Sequence, residues 1–368
     1  MKNKNLVIGL VVIVVVLVVF RVALLNTEKV GSNDVLRIGA ILPLSGPASS
    51  WGESIRGGME ISKDELAEEG IEVEIIYEDS KADSKEAISA YNSLKQKNVD
   101  VIVSAFSRVS VPLVSLSRDD EIPLIMTIVA AKDVAEKSEF AFRLYANVNG
   151  YVDPHFDQIK DEDYRTMGLL YLNDEFGSSV TEYIRKKAKE KGIKIVIEEN
   201  YNPGDVEFRT QLLKIKEKNP DMIMFVDGFP IEGINILKEI KSLDIKSDIR
   251  EASTVLSGES VRVDNLGDSV YTSVFPFIID KDNSFREKFI ETYDFNPSLG
   301  ADHGYDMVKI VGIVTRGEKM SGVEISNGII NLKYYDSLNG RIEVKESGEI
   351  NPELLLARIK GNELVLVD

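Results

Sequence analysis

Apolar and polar positions alternate in blocks along most of this chain, and the blocks predict strands separated by helices. Short apolar runs such as Leu36–Leu42 and Met222–Val226 have the length of buried strands. Longer stretches such as Ser84–Lys97 return apolar residues at helical spacing on one face. Strands that alternate with helices indicate an α/β fold built on doubly wound parallel sheets.

The same pattern predicts the elements that follow Val35. The predicted strands are Leu36–Leu42, Ile71–Tyr77, Val99–Ala105, Pro123–Val129, Met167–Leu172, Ile193–Glu198, Met222–Val226, Ile249–Ser253, Val270–Phe277 and Glu363–Val367. The predicted helices are Glu53–Glu69, Ser84–Lys97, one that starts near Ser110, Gly177–Lys191, Asp205–Lys218, Glu232–Leu243 and Asp302–Gly312.

The two halves of the chain repeat each other. Leu94–Val103 reappears as Ile215–Met224, and Gly70–Ile75 reappears as Gly192–Ile197. A repeat this long indicates two similar lobes rather than a solenoid of short units. Two lobes leave a cleft between them, and a cleft usually holds a small ligand.

The pattern also predicts the boundaries of the lobes. We expect lobe 1 to contain residues 35–150 and 274–335, and lobe 2 to contain residues 151–273 and 336–368. Three crossovers would then join the lobes, the last of them near Tyr334–Gly340.

Residues 1–25 differ from the rest of the chain. Lys2 and Lys4 precede Leu6–Leu25, a segment of 20 residues that is almost entirely apolar. As a helix it would be about 30 Å long, which matches a bilayer core and predicts one transmembrane helix. The lysines favour a cytoplasmic N-terminus, with a polar tether, 26–34, leading to a domain outside the membrane. A cleaved signal peptide is the alternative, although no small-x-small cleavage site follows the apolar run.

The composition excludes several classes of function. The net charge of −17 disfavours nucleic acid binding, which needs a basic surface. The absence of cysteine excludes disulfides, thiolate metal sites and cysteine nucleophiles. The sequence contains no phosphate-binding loop and no nucleophile elbow, and its two histidines lie on different segments. We therefore expect no enzymatic activity, no cofactor and no metal site.

The expected cleft is lined by the segments that follow the strands, because ligands of open parallel sheets lie beyond the carboxyl ends of the strands. These segments are Leu44–Trp51, Glu78–Ser80, Ser104–Ser110, Thr127–Ala131 (which includes Ala130), Asn173–Gly177, Asp227–Phe229 and Glu251–Thr254. Ser107 is placed to bind a carboxylate together with backbone N–H groups at a helix N-terminus, or only to cap that helix. Arg108 could pair with a second carboxylate or point to solvent.

Acidic residues near these strand ends are candidates for binding an ammonium group. Asp227 follows a buried strand, where its carboxylate could meet a ligand or belong to an ordinary turn. Glu251 and Asp302 are weaker candidates for the same role.

Aromatic residues supply candidate walls for an apolar ligand group. Trp51 is the only tryptophan and lies in a segment that looks like a polar loop. It could cover a ligand or fold back on its own lobe. Phe176 and Phe229 are similar candidates from the second half, with a core role as the alternative.

Several segments are informative in combination. They are Ile38–Pro47 followed by Trp51-Gly52 and Gly57-Gly58, Tyr77–Asp79, Asn173–Gly177 and His303–Asp306. Together they resemble the type I periplasmic solute-binding proteins of ABC transporters, in particular the branched-chain amino-acid group typified by the Leu/Ile/Val-binding protein. The resemblance covers about residues 35–368 and implies a Venus-flytrap, in which two lobes close on one ligand.

The resemblance also implies roles for individual residues. Trp51 falls at the aromatic position that covers the ligand, and Ser107 falls at the serine that takes the α-carboxylate. Phe176 and Phe229 fall at two aromatic positions of the second lobe.

Other positions depart from the family pattern. Val129 and Ala131 fall in the loop that binds both backbone ends of an amino acid, but the family often has threonine where Ala131 stands. The acid expected near Ser253 for the ammonium group is absent. Either Asp227 or Glu251 replaces it, or the ligand is not an α-amino acid.

The resemblance implies a non-enzymatic, monomeric receptor. It would capture a small ligand, most simply a branched-chain or other apolar amino acid, and deliver it to an ABC permease. A sensor ectodomain that signals through a membrane partner is the alternative.

Overall fold

The computed structural model describes residues 35–129, 131, 133–160, 164–257, 270–280, 283–361 and 363–367. The predicted membrane helix 1–25, the tether 26–34 and Ala130 lie outside these residues. Of the helices that are described, none is both long enough and apolar enough to cross a bilayer.

The described elements run in the alternating order that the sequence pattern predicts. The strands are β1 (Leu36–Leu42), β2 (Val73–Asp79), β3 (Val101–Ala105), β4 (Leu124–Thr127), β5 (Ala141–Leu144), β6 (Thr166–Leu172), β7 (Lys194–Tyr201), β8 (Met222–Val226), β9 (Asp248–Glu251), β10 (Val270–Val274), β11 (Tyr334–Ser337), β12 (Gly340–Glu343), β13 (Glu349–Ile350), β14 (Leu355–Lys360) and β15 (Glu363–Leu366). The helices are α1 (Ser49–Glu68), α2 (Ser84–Gln96), α3 (Ser107–Ser110), α4 (Leu113–Asp120), α5 (Val148–Gln158), α6 (Glu175–Glu190), α7 (Arg209–Lys218), α8 (Pro230–Ser242), α9 (Pro276–Ile279), α10 (Ser284–Tyr293), α11 (Ala301–Thr315) and α12 (Gly322–Asn331).

The two large sheets share one strand order. The first runs β2-β1-β3-β4-β5-β13, and the second runs β7-β6-β8-β9-β10-β14-β15. Neighbours are parallel throughout the first sheet. In the second sheet the pairs from β7 to β10 are parallel, whereas β10–β14 and β14–β15 are antiparallel. The repeat in the sequence is therefore a repeat of strand order, and the prediction of an α/β fold with two parallel-sheet lobes is confirmed.

The chain passes between the two sheets three times, after β5, after β10 and after β13. The third passage differs from the prediction, which placed it near Tyr334–Gly340 and assigned everything from residue 336 to lobe 2. Tyr335 and Ile342 of the β11–β12 hairpin are buried in the core of the first lobe, and β13 pairs with β5. The predicted boundary was wrong because β13 has only two residues, too few to leave a strand pattern in the sequence.

Some elements leave no readable signal. Helix α5 contains Pro154 in its interior, which the sequence pattern treats as a helix breaker. Helix α1 begins at Ser49, four residues before the predicted start at Glu53. This earlier start places Trp51 in the first turn of a helix rather than in a loop.

Candidate functional site

A cavity of about 430 Å³ lies between the lobes, at the carboxyl ends of the central strands. Seven of the individually proposed candidate residues line it: Trp51, Ser107, Arg108, Phe176, Asp227, Phe229 and Ser253. Both lobes contribute to the wall, so that closing or opening the lobes changes the shape of the cavity.

Three aromatic rings form a stack that spans the two lobes. The Trp51 ring lies between Phe106 of lobe 1 and Phe229 of lobe 2, with both ring centroids 5.6 Å away and interplanar angles of 24° and 12°. Trp51 is only 7% exposed, which makes it part of the core as well as part of the cavity wall. The expectation that Trp51 lies in a polar loop was wrong, because helix α1 begins at Ser49 and buries this side chain.

Two cavity residues that lie in the predicted cleft segments, but were not singled out there, have a left-handed backbone. Phe106 follows β3 with φ 76°, and Ile128 follows β4 with φ 53°. Such conformations are costly for side chains with a Cβ, above all for β-branched isoleucine, and they concentrate at functional sites. They aim the Phe106 and Ile128 side chains at the cavity, and no residue type in the sequence signals them.

Ser107 and Arg108 lie at the lobe 1 side of the cavity. Helix α3, which begins at Ser107, is a single turn, and the helix predicted to start near Ser110 corresponds to α4, which begins at Leu113. The Ser84 hydroxyl donates a hydrogen bond of 2.8 Å to the Arg108 carbonyl and so fixes this turn. The Arg108 side chain is exposed at the mouth of the cavity, whereas Ser107 is half-buried.

Asp227 lies on the lobe 2 side, connected through Ser253 to Glu251. The Ser253 hydroxyl is 2.7 Å from Asp227 Oδ1 and also contacts Glu251 Oε1. All three side chains are fully or almost fully buried. Burial and the neighbouring Glu251 carboxyl raise the pKa of Asp227 well above its usual range.

Val129 and Ala131 do not line the cavity, contrary to the role that the resemblance implies. Both side chains are buried in the core of lobe 1. The guanidinium of Arg143 donates a hydrogen bond of 2.8 Å to the Ala131 carbonyl and a longer one of 3.4 Å to the Val129 carbonyl. These carbonyls are therefore already engaged by the protein, and Ile128 takes the place at the wall.

Asp302 also lies away from the cavity, so the prediction that it could bind a ligand ammonium group was wrong. Its carboxylate contacts His303 Nδ1 at 2.9 Å and accepts a hydrogen bond from the Asn339 side chain. Burial favours the neutral acid, but the charge and hydrogen bond of His303, together with the Asn339 amide, hold the pKa of Asp302 below its usual value. The residue fastens α11 to the β11–β12 hairpin.

The crossover after β5 adds two aromatic residues that the sequence did not single out. Tyr145 and Tyr151 both line the cavity. The Tyr145 hydroxyl lies 3.5 Å from Thr254 Oγ1 of lobe 2, and the Tyr151 ring packs edge-on against Phe176 at 5.7 Å. Their position follows from where the chain crosses between lobes, which the strand pattern does not locate.

In the part of the chain that the structure describes, no group of three or more histidine, aspartate or glutamate side chains is placed to hold a metal ion. His155 is buried beside Ser273, and burial together with Arg250 lowers its pKa to about 3. It is therefore a neutral core residue at physiological pH.

Comparisons with known proteins agree with this architecture. The chain matches the family described as "Periplasmic binding protein" over residues 35–363. It is 22% identical over 216 residues to a leucine-, isoleucine-, valine-, threonine-, and alanine-binding protein of Pseudomonas aeruginosa, an alignment that covers 56% of this chain and 57% of that protein.

Two solved structures share the fold. The branched-chain amino acid transporter substrate binding protein LivJ from Streptococcus pneumoniae, in complex with isoleucine, has a TM-score of 0.80 at 20% identity and covers 90% of this chain and 97% of that chain. An ABC transporter solute binding protein from R. palustris, in complex with benzoate, has a TM-score of 0.79 at 19% identity and covers 90% of this chain and 95% of that chain.

The family match bears on two further predictions. Members of this family bind solutes without transforming them, which confirms that the chain is not an enzyme. They act outside the cytoplasm, as the sequence predicts for the folded domain. The chain belongs to the periplasmic binding protein family, and its predicted resemblance to the type I, Leu/Ile/Val-binding group is confirmed.

Proposed function

We propose that this protein captures an apolar amino acid, or a close relative of one, in the interlobe cavity and delivers it to an ABC permease. The observation that carries the proposal is the composition of the cavity wall. Aromatic rings from both lobes surround a space of about 430 Å³, while Ser107 and Arg108 on one side and Asp227 and Ser253 on the other supply polar groups. A mostly apolar cavity with a few convergent polar groups is typical of a small-molecule site.

The roles of the polar residues follow from their charge. Ser107 and Arg108 would receive a ligand carboxylate, and Asp227 would receive an ammonium group. The hydrocarbon part of the ligand would lie against Trp51 and Phe176. Binding of leucine, isoleucine or valine by relatives with this fold supports the choice of ligand class.

The N-terminal sequence supports a membrane-tethered form of the receptor. Leu6–Leu25 has the length and apolarity of one transmembrane helix, preceded by Lys2 and Lys4. A tether of this kind would keep the receptor close to a permease, where its effective concentration is high.

Thermal unfolding of the full-length protein against amino acids, carboxylates, amides and sugars tests the proposal. A ligand present at about 100 times its dissociation constant stabilises the folded state by about 2.7 kcal/mol. We expect a raised melting temperature with leucine, isoleucine, valine or a close relative. A shift with sugars alone would contradict the amino-acid assignment.

Trp51 provides an independent report on the site. Because it is the only tryptophan of the chain and is stacked between Phe106 and Phe229, its emission arises in the cavity wall. We expect the ligand that raises the melting temperature to change the intensity or wavelength of this emission, and Phe229→Leu to change the emission of the empty protein. A stabilising ligand that leaves the emission unchanged would bind elsewhere.

A further inference from the structure

The lobe 2 wall of the cavity contains a buried acidic cluster, defined here as Asp227, Glu232 and Glu251. None of the three residues is more than 1% exposed. Among the described residues, no lysine or arginine forms an ion pair with any of them. A buried carboxylate without a cation is unfavourable, so the cluster needs positive charge from a proton or from a ligand.

The hydrogen bonds of Ser253 show that Asp227 and Glu251 are not both ionised. The Ser253 hydroxyl lies between Asp227 Oδ1 and Glu251 Oε1, but it has only one hydrogen to donate. If both carboxyl groups are ionised, one of these contacts has no hydrogen. One of the two acids must therefore hold a proton when the cavity is empty.

Glu251 is already well supplied with donors. The backbone N–H groups of Val255 and Leu256 donate to its Oε1 at 2.9 and 3.1 Å, and the Thr272 hydroxyl contacts its Oε2. Glu232 likewise receives the Gly228 N–H at 2.9 Å. Burial raises the pKa of both glutamates above the usual value, and these donors oppose that effect by stabilising the ionised forms.

Asp227 has no comparable support. Its Oδ2 is buried without a hydrogen-bond partner and lies against the Cα of Gly233 in α8, where a Cβ would be only 2.2 Å away. Asp227 is the one member of the cluster that lines the cavity, and its Oδ1, beside Ser253, is the oxygen that does not face α8. A ligand cation in the cavity therefore compensates the charge of the cluster most directly at Asp227.

The rest of the cavity wall also favours a positively charged ligand. Asp174 and Glu175 line it from lobe 2, and Arg108 is the one basic side chain among the described lining residues. The other lining groups include the aromatic side chains of Trp51, Phe106, Phe176, Phe229, Tyr145 and Tyr151. The faces of aromatic rings attract organic cations, most strongly in sites that exclude water.

We propose that the cavity selects its ligand by a positive charge, held as an organic ammonium ion between Asp227 and the aromatic rings, and that a ligand carboxylate is dispensable. This inference rests on the proposed function and narrows it. Amino acids bind through the ammonium group, simple amines with the same hydrocarbon bind as well, and carboxylic acids without an amine do not.

Isothermal titration of the full-length protein with matched compounds tests the proposal. Leucine, 3-methylbutylamine and 4-methylpentanoate share a branched hydrocarbon and differ in charge. Phenylalanine, 2-phenylethylamine and 3-phenylpropanoate form the corresponding aromatic set. We expect each amine to bind within about tenfold of its amino acid, and each carboxylate to bind at least about 100-fold more weakly than its amine. Asp227→Asn should weaken amine binding by about 100-fold and leave carboxylate binding no weaker. The control Asp244→Asn removes an exposed charge from the same lobe and should leave all affinities unchanged.

The outcomes separate this inference from the proposed function. Binding of a carboxylate without binding of its amine overturns the charge selection but leaves a solute receptor. Unchanged amine affinity in Asp227→Asn overturns the role of Asp227. Failure of all six compounds, amino acids included, overturns both. The wild-type titrations decide the question of charge even if Asp227→Asn does not fold.

Discussion

Replacing Gly58 with alanine is expected to lower the free energy of unfolding by about 3 kcal/mol, the upper part of the range for overpacked cores. A Cβ at this position would lie 1.8 Å from the Ala301 carbonyl oxygen and 2.9 Å from the Tyr305 nitrogen. Both are backbone atoms of α11, so no side-chain rotation relieves the clash. The helices would have to separate, which opens space elsewhere along their contact.

Each of the helices α1 and α11 has a glycine that lies against the backbone of the other, and this close packing positions part of the cavity wall. A Cβ at Gly304 of α11 would lie 2.1 Å from the Ile55 carbonyl oxygen of α1. Trp51 precedes Ile55 by one helical turn, and Leu299 precedes α11, and both line the cavity. We therefore expect Gly58→Ala to shift the emission of Trp51 as well as to destabilise the protein.

Gly150→Ala is the matched control for this prediction. Gly150 is also a helical glycine, but a Cβ there would meet the Ala146 Cβ at 3.4 Å, which is close to ordinary contact. Alanine is the better helix former, so this change should be neutral or stabilise by up to about 1 kcal/mol. The free energy of unfolding in urea and the melting temperature are measured for both variants. Equal values for Gly58→Ala and Gly150→Ala would show that α1 and α11 do not need backbone contact.

The ends of the predicted strands were the feature of the sequence that located the site. Asp227 and Ser253 each follow a central strand of lobe 2, and Ser107 follows one in lobe 1, so topology alone directed attention to them. All three line the cavity. The repeat between the halves was equally informative, since the same apolar spacing produced the same strand order.

What the sequence could not provide were long-range partners. Asp302 looks like a free acid in the sequence, but the side chain of Asn339, 37 residues away, donates a hydrogen bond to its carboxylate in the fold. Val129 and Ala131 lie at the end of a strand as expected, yet Arg143 from the next strand binds their carbonyls. Such pairings depend on register between elements, which apolar periodicity does not specify.

Arg143→Met is expected to have the largest effect on stability, a loss of about 3–5 kcal/mol, which is typical when one partner of a buried ion pair is removed. Arg143 is 4% exposed, and its Nε donates a hydrogen bond of 2.7 Å to Glu349 Oε2. The same oxygen accepts a hydrogen bond of 2.7 Å from the Asn351 amide, whose other contact is the Tyr145 carbonyl at 2.9 Å. The ion pair thus joins the first and third crossovers, and its loss leaves the Glu349 carboxylate buried and unpaired.

Urea unfolding of two further variants tests this account. Arg185→Met removes a similar contact, of 2.6 Å to Glu198, but the two side chains are 43% and 32% exposed and the pair should contribute less than about 1 kcal/mol. The double variant Arg143→Met/Glu349→Leu removes both buried charges and should recover most of the lost stability, because apolar groups of similar size can replace such pairs. If the double variant is no more stable than Arg143→Met, the unpaired carboxylate is not the cause of the loss.

Ligand affinity should not recover with stability in the double variant. Arg143 also binds the carbonyls of Val129 and Ala131, and neither methionine nor leucine can donate to them. These carbonyls belong to the loop that holds Ile128 in its left-handed conformation at the cavity wall. We expect the recovered protein to bind the ligand at least about tenfold more weakly than wild type, since a misplaced wall residue loses the contacts it makes with the ligand. Recovery of both quantities would assign Arg143 to the crossovers alone, whereas recovery of stability without affinity assigns it a second role in positioning the cavity wall.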